Sequence, residues 1–213
     1  FQRQTNLPGS MLQILHNGLD LPDAVVPATR KELNVPVGRM LAGFVGRITR
    51  GKGVERFLDL ARDAARQSPG RFHFVVIGDG DGLDAQRARV KELGLEGEVT
   101  FLGERRDIHR CYAALDCLVF CSDPGVEGMP GVVLEACAHG LPILARRTAP
   151  LEEIGVFYDR IAYLDESGAA AQLEGALALP PADREKFRGE FSIEAMRDRT
   201  TALYETLRAG ARA

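Results

Sequence analysis

Short apolar runs alternate with stretches of helical periodicity along most of this 213-residue chain, and several of the runs end in glycine. Buried strands are predicted at 40–45, 72–77, 99–102, 118–120 and 143–145, with a weaker one at 162–164. Helices are predicted between them at 54–67, 83–93, 108–114 and from 132 to a stop at Gly140 and Pro142. Because parallel strands are joined by helical crossovers, this alternation predicts an α/β fold with a doubly wound, mainly parallel sheet and helices on both faces.

The whole chain, 1–213, is predicted to form one domain. A chain of this length can bury a sizeable core, and 45% of its residues are hydrophobic. No proline- or glycine-rich linker divides it. From about residue 169 the pattern changes to helices alone, at 169–179, 181–190 and 193–208, which predicts a helical tail.

Charge and composition exclude several classes of protein. The net charge of −3 does not favour nucleic acid as a partner, and no run of 18 apolar residues predicts a membrane-spanning helix. The four cysteines form no CxxC pair, so we expect reduced, mostly buried thiols in a cytoplasmic protein. The chain begins at Phe1 without a methionine, and we expect it to be a fragment of a longer protein.

Candidate binding residues follow four of the predicted strands. Arg47 follows the first, Gly78 the second, Gly103 the third and Glu127 the fourth. The carboxyl ends of parallel strands meet at one edge of a doubly wound sheet, and ligands bind at that edge. These residues are therefore predicted to share one site.

Arg47 and Lys52 lie in a glycine-rich loop between a predicted strand and a predicted helix. On their own they could be ordinary solvated cations. Their position before a helix N-terminus favours phosphate binding instead, with the arginine forking onto two oxygens and the lysine acting as a point charge.

Two carboxylates eight positions apart frame the most informative segment. Glu127 lies in a loop with two glycines and a proline, whereas Glu135 lies in an apolar run that predicts a buried helix. Loop amides and a helix N-terminus would lie between the two acids. That arrangement favours an anion such as phosphate, flanked by carboxylates that bind hydroxyl groups. A sugar nucleotide combines these groups.

The same segment resembles the E-x7-E signature of the retaining GT-B glycosyltransferases of family 4, the "group 1" glycosyltransferases. Four further segments match that family in the same order: NG-x-D at 17–20, GR…KG at 46–53, G-x-G at 78–80 and v-x-f-l-G at 99–103. Together the matches span about residues 13–145. The resemblance implies a Rossmann-like domain, the carboxy-terminal half of a GT-B fold.

The resemblance also implies a role for each site residue. Glu127, Arg47 and Lys52 would form the catalytic group, with the two cations holding a diphosphate and Glu127 contacting the donor sugar. Glu135 would accept hydrogen bonds from the ribose, and no metal or other cofactor would be needed. The other implied substrate contacts come from strand ends and loops: Gly46, Gly78, Leu102, Gly103, Gly128, Met129, Pro130, Gly131, Val132 and Val133.

The implied reaction transfers a sugar, with retention, from a UDP-, GDP- or ADP-sugar to a glycan or lipid-linked acceptor in polysaccharide or lipopolysaccharide synthesis. The base of the donor would lie near Leu102 and Gly103. The acceptor would be held by an amino-terminal domain absent from this chain, so the chain alone is expected to be inactive. Any peripheral membrane contact would be made through that domain.

The sequence departs from the family pattern in two places. The loop between Ser122 and Glu127 is longer than usual, and 146–153 lacks a glycine pair often found there. Structural alternatives also stay open. Glu135 could form a salt bridge with Arg146 or Arg147. From its residues alone, 78–82 is interpreted as a turn at a strand end.

The histidines are weaker candidates. His109 and His139 are expected to be surface or structural residues, and His16 is a minor candidate for the cleft. Two alternative functions also stay open. One is a sugar-nucleotide enzyme of GT-B shape such as an epimerase, and the other is a non-catalytic nucleotide-binding module.

Overall fold

Six parallel strands form one sheet in the computed structural model, which describes residues 13–20 and 24–210. In chain order the strands are β1 (Met40–Val45), β2 (Phe72–Ile77), β3 (Val99–Gly103), β4 (Cys117–Phe120), β5 (Ile143–Ala145) and β6 (Ile161–Tyr163). The helices are α1 (Val54–Gln67), α2 (Leu83–Glu92), α3 (Ile108–Ala114), α4 (Gly131–Ala138), α5 (Ala149–Gly155), α6 (Ala169–Leu177), α7 (Arg184–Phe191) and α8 (Ile193–Gly210).

The strands lie in the order β3-β2-β1-β4-β5-β6, and every neighbouring pair is parallel. The chain first builds outwards from β1 to β3, then returns to the other side of β1 and builds outwards from β4 to β6. This is the doubly wound, Rossmann-like arrangement. The fold class predicted from the sequence is confirmed.

Side chains alternate between two cores, one on each face of the sheet. Along β4, Leu118 and Phe120 pack into one core, whereas Cys117 and Val119 pack into the other. Helices α3, α4, α5 and α7 contribute to the first core, and α1, α2 and α6 to the second. Strands buried on both faces appear in the sequence as continuous apolar runs, which is why their positions were predictable.

Helix α4 ends where the sequence predicts it. The N–H of Gly140 donates to the carbonyl of Cys137, and the N–H of Leu141 donates to that of Ala136. Gly140 has a φ of +72°, a left-handed conformation that glycine adopts without steric cost. In the described part of the chain, no helix combines the length and apolar character needed to cross a membrane.

Two elements differ from the prediction by more than two residues. Helix α7 begins at Arg184 rather than 181, because the Asp183 carboxylate accepts the backbone N–H groups of Glu185 and Lys186 and so caps the helix there. Helix α5 lies in the segment for which the sequence pattern predicts no element. Its two buried side chains, Leu151 and Ile154, are too few to give a visible periodicity.

The carboxyl ends of β1 and β2 approach each other closely at Gly78. Gly78 has a φ of +135°, and a Cβ atom there would overlap the carbonyl of Gly46. Its N–H donates to the carbonyl of Gly103 at 2.8 Å. Glycine is therefore required here by the packing of one strand end against another, which makes 78–82 more than a solvent-exposed turn.

The segment 13–20 packs against the junction of α7 and α8. Leu19 donates its N–H to Phe191 and accepts from Ile193, at 2.8 and 2.9 Å. A Cβ atom on Gly18 would lie 2.6 Å from the Ser192 carbonyl, so only glycine fits there. This contact gives a structural reason for the glycine of the 17–20 motif.

His16, a minor candidate for the cleft, lies instead between α5 and α7. Its Nε2 is 2.8 Å from Glu153 Oε1, and its Nδ1 is 2.6 Å from Glu190 Oε1. The ring packs against Phe157 and Phe191. Burial lowers the pKa of His16, but the two carboxylates outweigh burial and raise the net pKa above the usual 6.5.

We predict that His16→Gln loses more stability in acid than in alkali. Because the folded pKa of His16 is raised, its stabilising contribution is fully present below the unfolded pKa and is lost as pH rises through the folded value. Urea unfolding at about pH 5.5 and about pH 9 measures the difference between wild type and variant.

Glu153→Gln should reproduce part of this pH dependence. Glu152→Gln is the matched control, because Glu152 lies on the same helix as Glu153 but pairs with Arg147 instead of His16. Equal losses at the two pH values in His16→Gln would contradict the prediction.

Candidate functional site

The candidate site lies where the order of the strands reverses, between β1 and β4. Loop 46–53 leaves β1 for α1, and loop 121–130 leaves β4 for α4. Because α1 and α4 cover opposite faces of the sheet, the two loops diverge. Diverging loops leave a crevice beyond the carboxyl ends of the strands, which is the usual ligand site of such sheets.

Lys52 and Glu127 meet across this crevice. Lys52 Nζ donates a hydrogen bond to Glu127 Oε1 and forms an ion pair with it, and the Ser122 hydroxyl lies 3.4 Å from the same oxygen. The two charged side chains are only 20% and 22% exposed. The structure thus brings two sequence-predicted site residues into direct contact, and the lysine charge is balanced by a carboxylate.

Two cavities lie side by side at this edge of the sheet. A small one of ≈ 30 Å³, large enough for about one water molecule, is bordered by Lys52, Glu127 and Val132. A larger cleft of ≈ 410 Å³ opens next to it, and Val45 and Gly46 line both. The residues that line the larger cleft are Val45, Gly46, Arg47, Ile77, Gly78, Asp79, Glu104, Arg105 and Ile108.

The wall of the larger cleft differs in detail from the prediction. Leu102 packs against the core, and Gly103 uses its carbonyl to accept the Gly78 N–H. The next residues, Glu104 and Arg105, line the cleft instead. Arg105 is held by two hydrogen bonds to Asp107, at 2.9 and 2.8 Å. A base near Leu102 and Gly103 stays a prediction.

The N-terminus of α4 is open towards the crevice. Pro130 occupies the capping position, and no side chain caps the helix. A Cβ atom on Gly131 would have no neighbour within 4 Å. The first N–H groups of an uncapped helix carry partial positive charge, which attracts anions. The predicted contacts from Gly128, Met129 and Val133 are not tested by this geometry and stay predictions.

Glu135 is held by a tyrosine rather than by an arginine. Its Oε2 accepts a hydrogen bond of 2.7 Å from the hydroxyl of Tyr112. The alternative salt bridge is wrong, because Arg146 pairs with Asp123 and Arg147 pairs with Glu152. Burial and the charge of Glu135 raise the pKa of Tyr112 well above its usual range, so the phenol stays protonated and remains a donor.

His109 and His139 pack beside Tyr112. Nδ1 of His109 lies 3.1 Å from Nε2 of His139, and the His139 ring stacks on the Tyr112 ring at a centroid distance of 5.6 Å. Burial, together with His109 and Arg184, lowers the pKa of His139 to about 4. At neutral pH His139 is therefore uncharged, which agrees with the expected structural role.

A reactive thiol or a bound metal ion is another way in which a protein site can carry out chemistry. All four cysteines are buried and free, and burial raises the pKa of Cys117 and of Cys121 to about 12. These thiols are unreactive by that measure. Within 13–20 and 24–210, no three His, Cys, Asp or Glu side chains are grouped so that they could hold a metal ion.

The chain matches the family model described as "Glycosyl transferases group 1" over residues 25–185. It is 35% identical over 137 residues to 2-deoxystreptamine N-acetyl-D-glucosaminyltransferase of Streptomyces fradiae, a match that covers 58% of this chain and 32% of that protein. It is 28% identical over 187 residues to the lipopolysaccharide core biosynthesis glycosyltransferase LpsE of Rhizobium meliloti (strain 1021), covering 82% of this chain and 52% of LpsE. The chain therefore spans about a third to a half of the length of these relatives.

Solved structures share the fold. Anabaena Alr3699/HepE, crystallised with UDP and glucose, superposes with a TM-score of 0.73 at 21% sequence identity, covering 95% of this chain and 59% of that one. At this identity the likeness concerns the fold alone. The doubly wound sheet is thus shared across nearly the whole chain.

We predict that Glu127→Gln tightens the binding of inorganic pyrophosphate. In the wild type, an anion has to displace Glu127 from Lys52, and removing a partly exposed ion pair should make binding about two- to fivefold tighter. Calorimetric titration of pyrophosphate measures the change.

The matched control is Glu98→Gln. Glu98 pairs with Arg39 at the opposite edge of the sheet, and these side chains are exposed to a similar degree, 27% and 26%. This variant changes the net charge by the same amount, so an equal gain in both variants would mean that net charge, and not Lys52, controls binding.

Proposed function

The chain belongs to the group 1 glycosyl transferases, and we propose that it is the donor-binding domain of an enzyme that uses a nucleoside diphosphate sugar. The acceptor, a glycan or a lipid-linked sugar, would be held by a part of the protein outside this chain. The short span of the chain relative to its matched relatives supports that division. The observation that carries the proposal is the meeting of Lys52 and Glu127 at the reversal of strand order.

The diphosphate is proposed to lie between Lys52, Arg47 and the N-terminus of α4. Arg47 lines the larger cleft and is exposed, and Lys52 borders the adjoining small cavity. The open end of α4 adds uncapped N–H groups. Two cations and a helix end can balance the charge of a diphosphate without a further ion.

The nucleoside is proposed to occupy the larger cleft. Its ≈ 410 Å³ falls within the usual range for small-molecule sites, about 300–1,000 Å³. Ile77 and Ile108 give apolar surface for a base. Glu135 would accept hydrogen bonds from the ribose hydroxyls. The UDP bound by Anabaena Alr3699/HepE, a protein of the same fold, supports a nucleotide as the ligand.

Charge separation is the step that the site would assist. When the bond between the anomeric carbon and the phosphate breaks, negative charge grows on the leaving diphosphate and positive charge grows on the sugar ring. Lys52 and Arg47 would stabilise the diphosphate, and Glu127 would face the sugar. The Lys52–Glu127 pair suits this role, because donor binding would draw the lysine to phosphate and release the carboxylate towards the ring.

Retention of configuration and membership of family 4 are proposed from the E-x7-E spacing of Glu127 and Glu135. A role in polysaccharide or lipopolysaccharide synthesis is supported by the matched LpsE. Because the chain covers 52% of LpsE, the activity of the whole protein belongs to this proposal.

We predict that this chain binds one of UDP, GDP or ADP and transfers no sugar by itself. Arg47→Ala and Lys52→Ala should each weaken the nucleoside diphosphate by about ten- to a hundredfold, since a hydrogen bond to a charged group contributes about 1.5–3 kcal/mol. The affinity for the free nucleoside should fall much less. Calorimetric titration of the three nucleotides and their sugars measures both. The proposal would be contradicted if the chain bound none of these nucleotides. It would also be contradicted if the two variants lost affinity for the nucleoside and the nucleoside diphosphate equally.

For the complete protein, we predict that the new glycosidic bond keeps the anomeric configuration of the donor. Glu127→Gln should lower turnover strongly, because the carboxylate faces the developing positive charge. Proton NMR of the product reads the configuration directly. An inverted product would refute retention, and an epimerised donor with no transfer would identify the alternative enzyme class.

A further inference from the structure

Tyr112 is a buried residue of α3 that contacts the proposed ribose-binding carboxylate from the core side. Its side chain is completely inaccessible to solvent. Its hydroxyl lies 2.7 Å from Glu135 Oε2 and 3.3 Å from the Val132 carbonyl. We propose that Tyr112 is a positioning residue that fixes the Glu135 carboxylate for recognition of the ribose hydroxyls. This inference rests on the proposed function.

The first argument is that the two oxygens of the Glu135 carboxylate have different hydrogen-bond partners. Oε2 of Glu135 is occupied by the tyrosine hydroxyl, whereas Oε1 receives no hydrogen bond from any residue that the structure describes. Glu135 itself is half-buried, so the residue keeps some surface exposed. One oxygen therefore anchors the group and the other is available to accept from a hydroxyl.

The second argument is the location of Tyr112 relative to the cleft. Ile108, which lines the larger cleft, lies one turn before Tyr112 on α3. Residues four apart share one face of a helix. Tyr112 therefore lies on the same face of α3 as Ile108, one turn along the helix, and its hydroxyl connects α3 to α4, the helix that carries Glu135.

The third argument is the rigidity of the tyrosine. Its ring stacks on His139, which is held in turn by His109. A hydroxyl on a fixed ring restricts the rotamers of the glutamate before a ligand arrives. Ordering a rotamer-rich side chain at the moment of binding would cost affinity, and prior ordering avoids that cost.

Tyr112→Phe tests this role, because it removes the hydroxyl and keeps the ring. Two ligands are titrated by calorimetry. One is whichever of UDP, GDP and ADP the wild type binds, and the other is the 2′,3′-dideoxy analogue of that nucleotide. We expect Tyr112→Phe to weaken the binding of the ordinary nucleotide by about fivefold and to leave the affinity for the dideoxy analogue unchanged. Equal weakening of both ligands, or of neither, would overturn the inference.

Tyr158→Phe is the matched control. Tyr158 is equally buried, and its hydroxyl donates one hydrogen bond of 2.7 Å to a backbone carbonyl, that of Leu141. It does not contact Glu135, so this variant should bind both nucleotides as the wild type does. A selective loss of the ordinary nucleotide in Tyr158→Phe as well would show that a general loss of rigidity is responsible, and would overturn the inference.

Glu135→Gln separates this inference from the function on which it rests. If Glu135 binds ribose, Glu135→Gln weakens the ordinary nucleotide selectively; if it does not, the ribose role and the inference both fail. If Glu135→Gln weakens the binding of the ordinary nucleotide selectively and Tyr112→Phe does not, only the proposed role of Tyr112 is wrong.

A double variant tests the same role if Tyr112→Phe folds poorly. Adding Tyr112→Phe to Glu135→Gln removes the charge that the missing hydroxyl would leave without a donor. The double variant should bind the ordinary nucleotide as Glu135→Gln does, because the tyrosine acts through the carboxylate. A further fivefold loss in the double variant would overturn the inference.

Discussion

The pairing of β1 with β4 is the contact on which the whole site depends. Ala42 lies opposite Cys117 and Gly43 opposite Leu118. A Cβ atom at Gly43 would lie 2.5 Å from the end of the Leu115 side chain, so a larger residue here would force that side chain to move. Because the strand order reverses at this pair, the loops after β1 and β4 diverge, and one supplies Lys52 while the other supplies Glu127. Moving β4 to the other edge of the sheet would leave the same side chains without a common site.

The strands were predictable because buried parallel strands are apolar throughout, and the positions of the site residues followed from the ends of those strands. Contacts across the site were not predictable in the same way. Lys52 and Glu127 are 75 residues apart, and nothing local to either residue indicates that they pair. Tyr112 gave no signal because a lone tyrosine in an apolar helix resembles any core residue. Helix α5 was missed because only two of its side chains are buried. Packing between elements, rather than the preference of any element, determined each of these features.

Three charged groups of the site, Glu127, Glu135 and Arg105, are held by protein partners. Glu127 is held by Lys52, Glu135 by Tyr112 and Arg105 by Asp107. Each partner reduces the number of conformations open to its neighbour, so the site is ordered before any ligand arrives. The glycines add a second kind of order, because Gly78 fixes the ends of β1 and β2 against each other through the backbone. Side-chain pairs and strand ends together give the cleft a defined shape.

If Lys52 binds the donor diphosphate as proposed, its ion pair with Glu127 would also give the chain a way of rejecting the wrong anions. The carboxylate is a permanent intramolecular competitor for the lysine, and its effective concentration near the ammonium group is in the millimolar range or above. Free phosphate or sulfate offers little beyond its charge, and so would compete poorly for that lysine. A ligand that also occupies the neighbouring cleft gains additional contacts and can displace the carboxylate. The glutamate would thereby favour ligands that bind at several points at once.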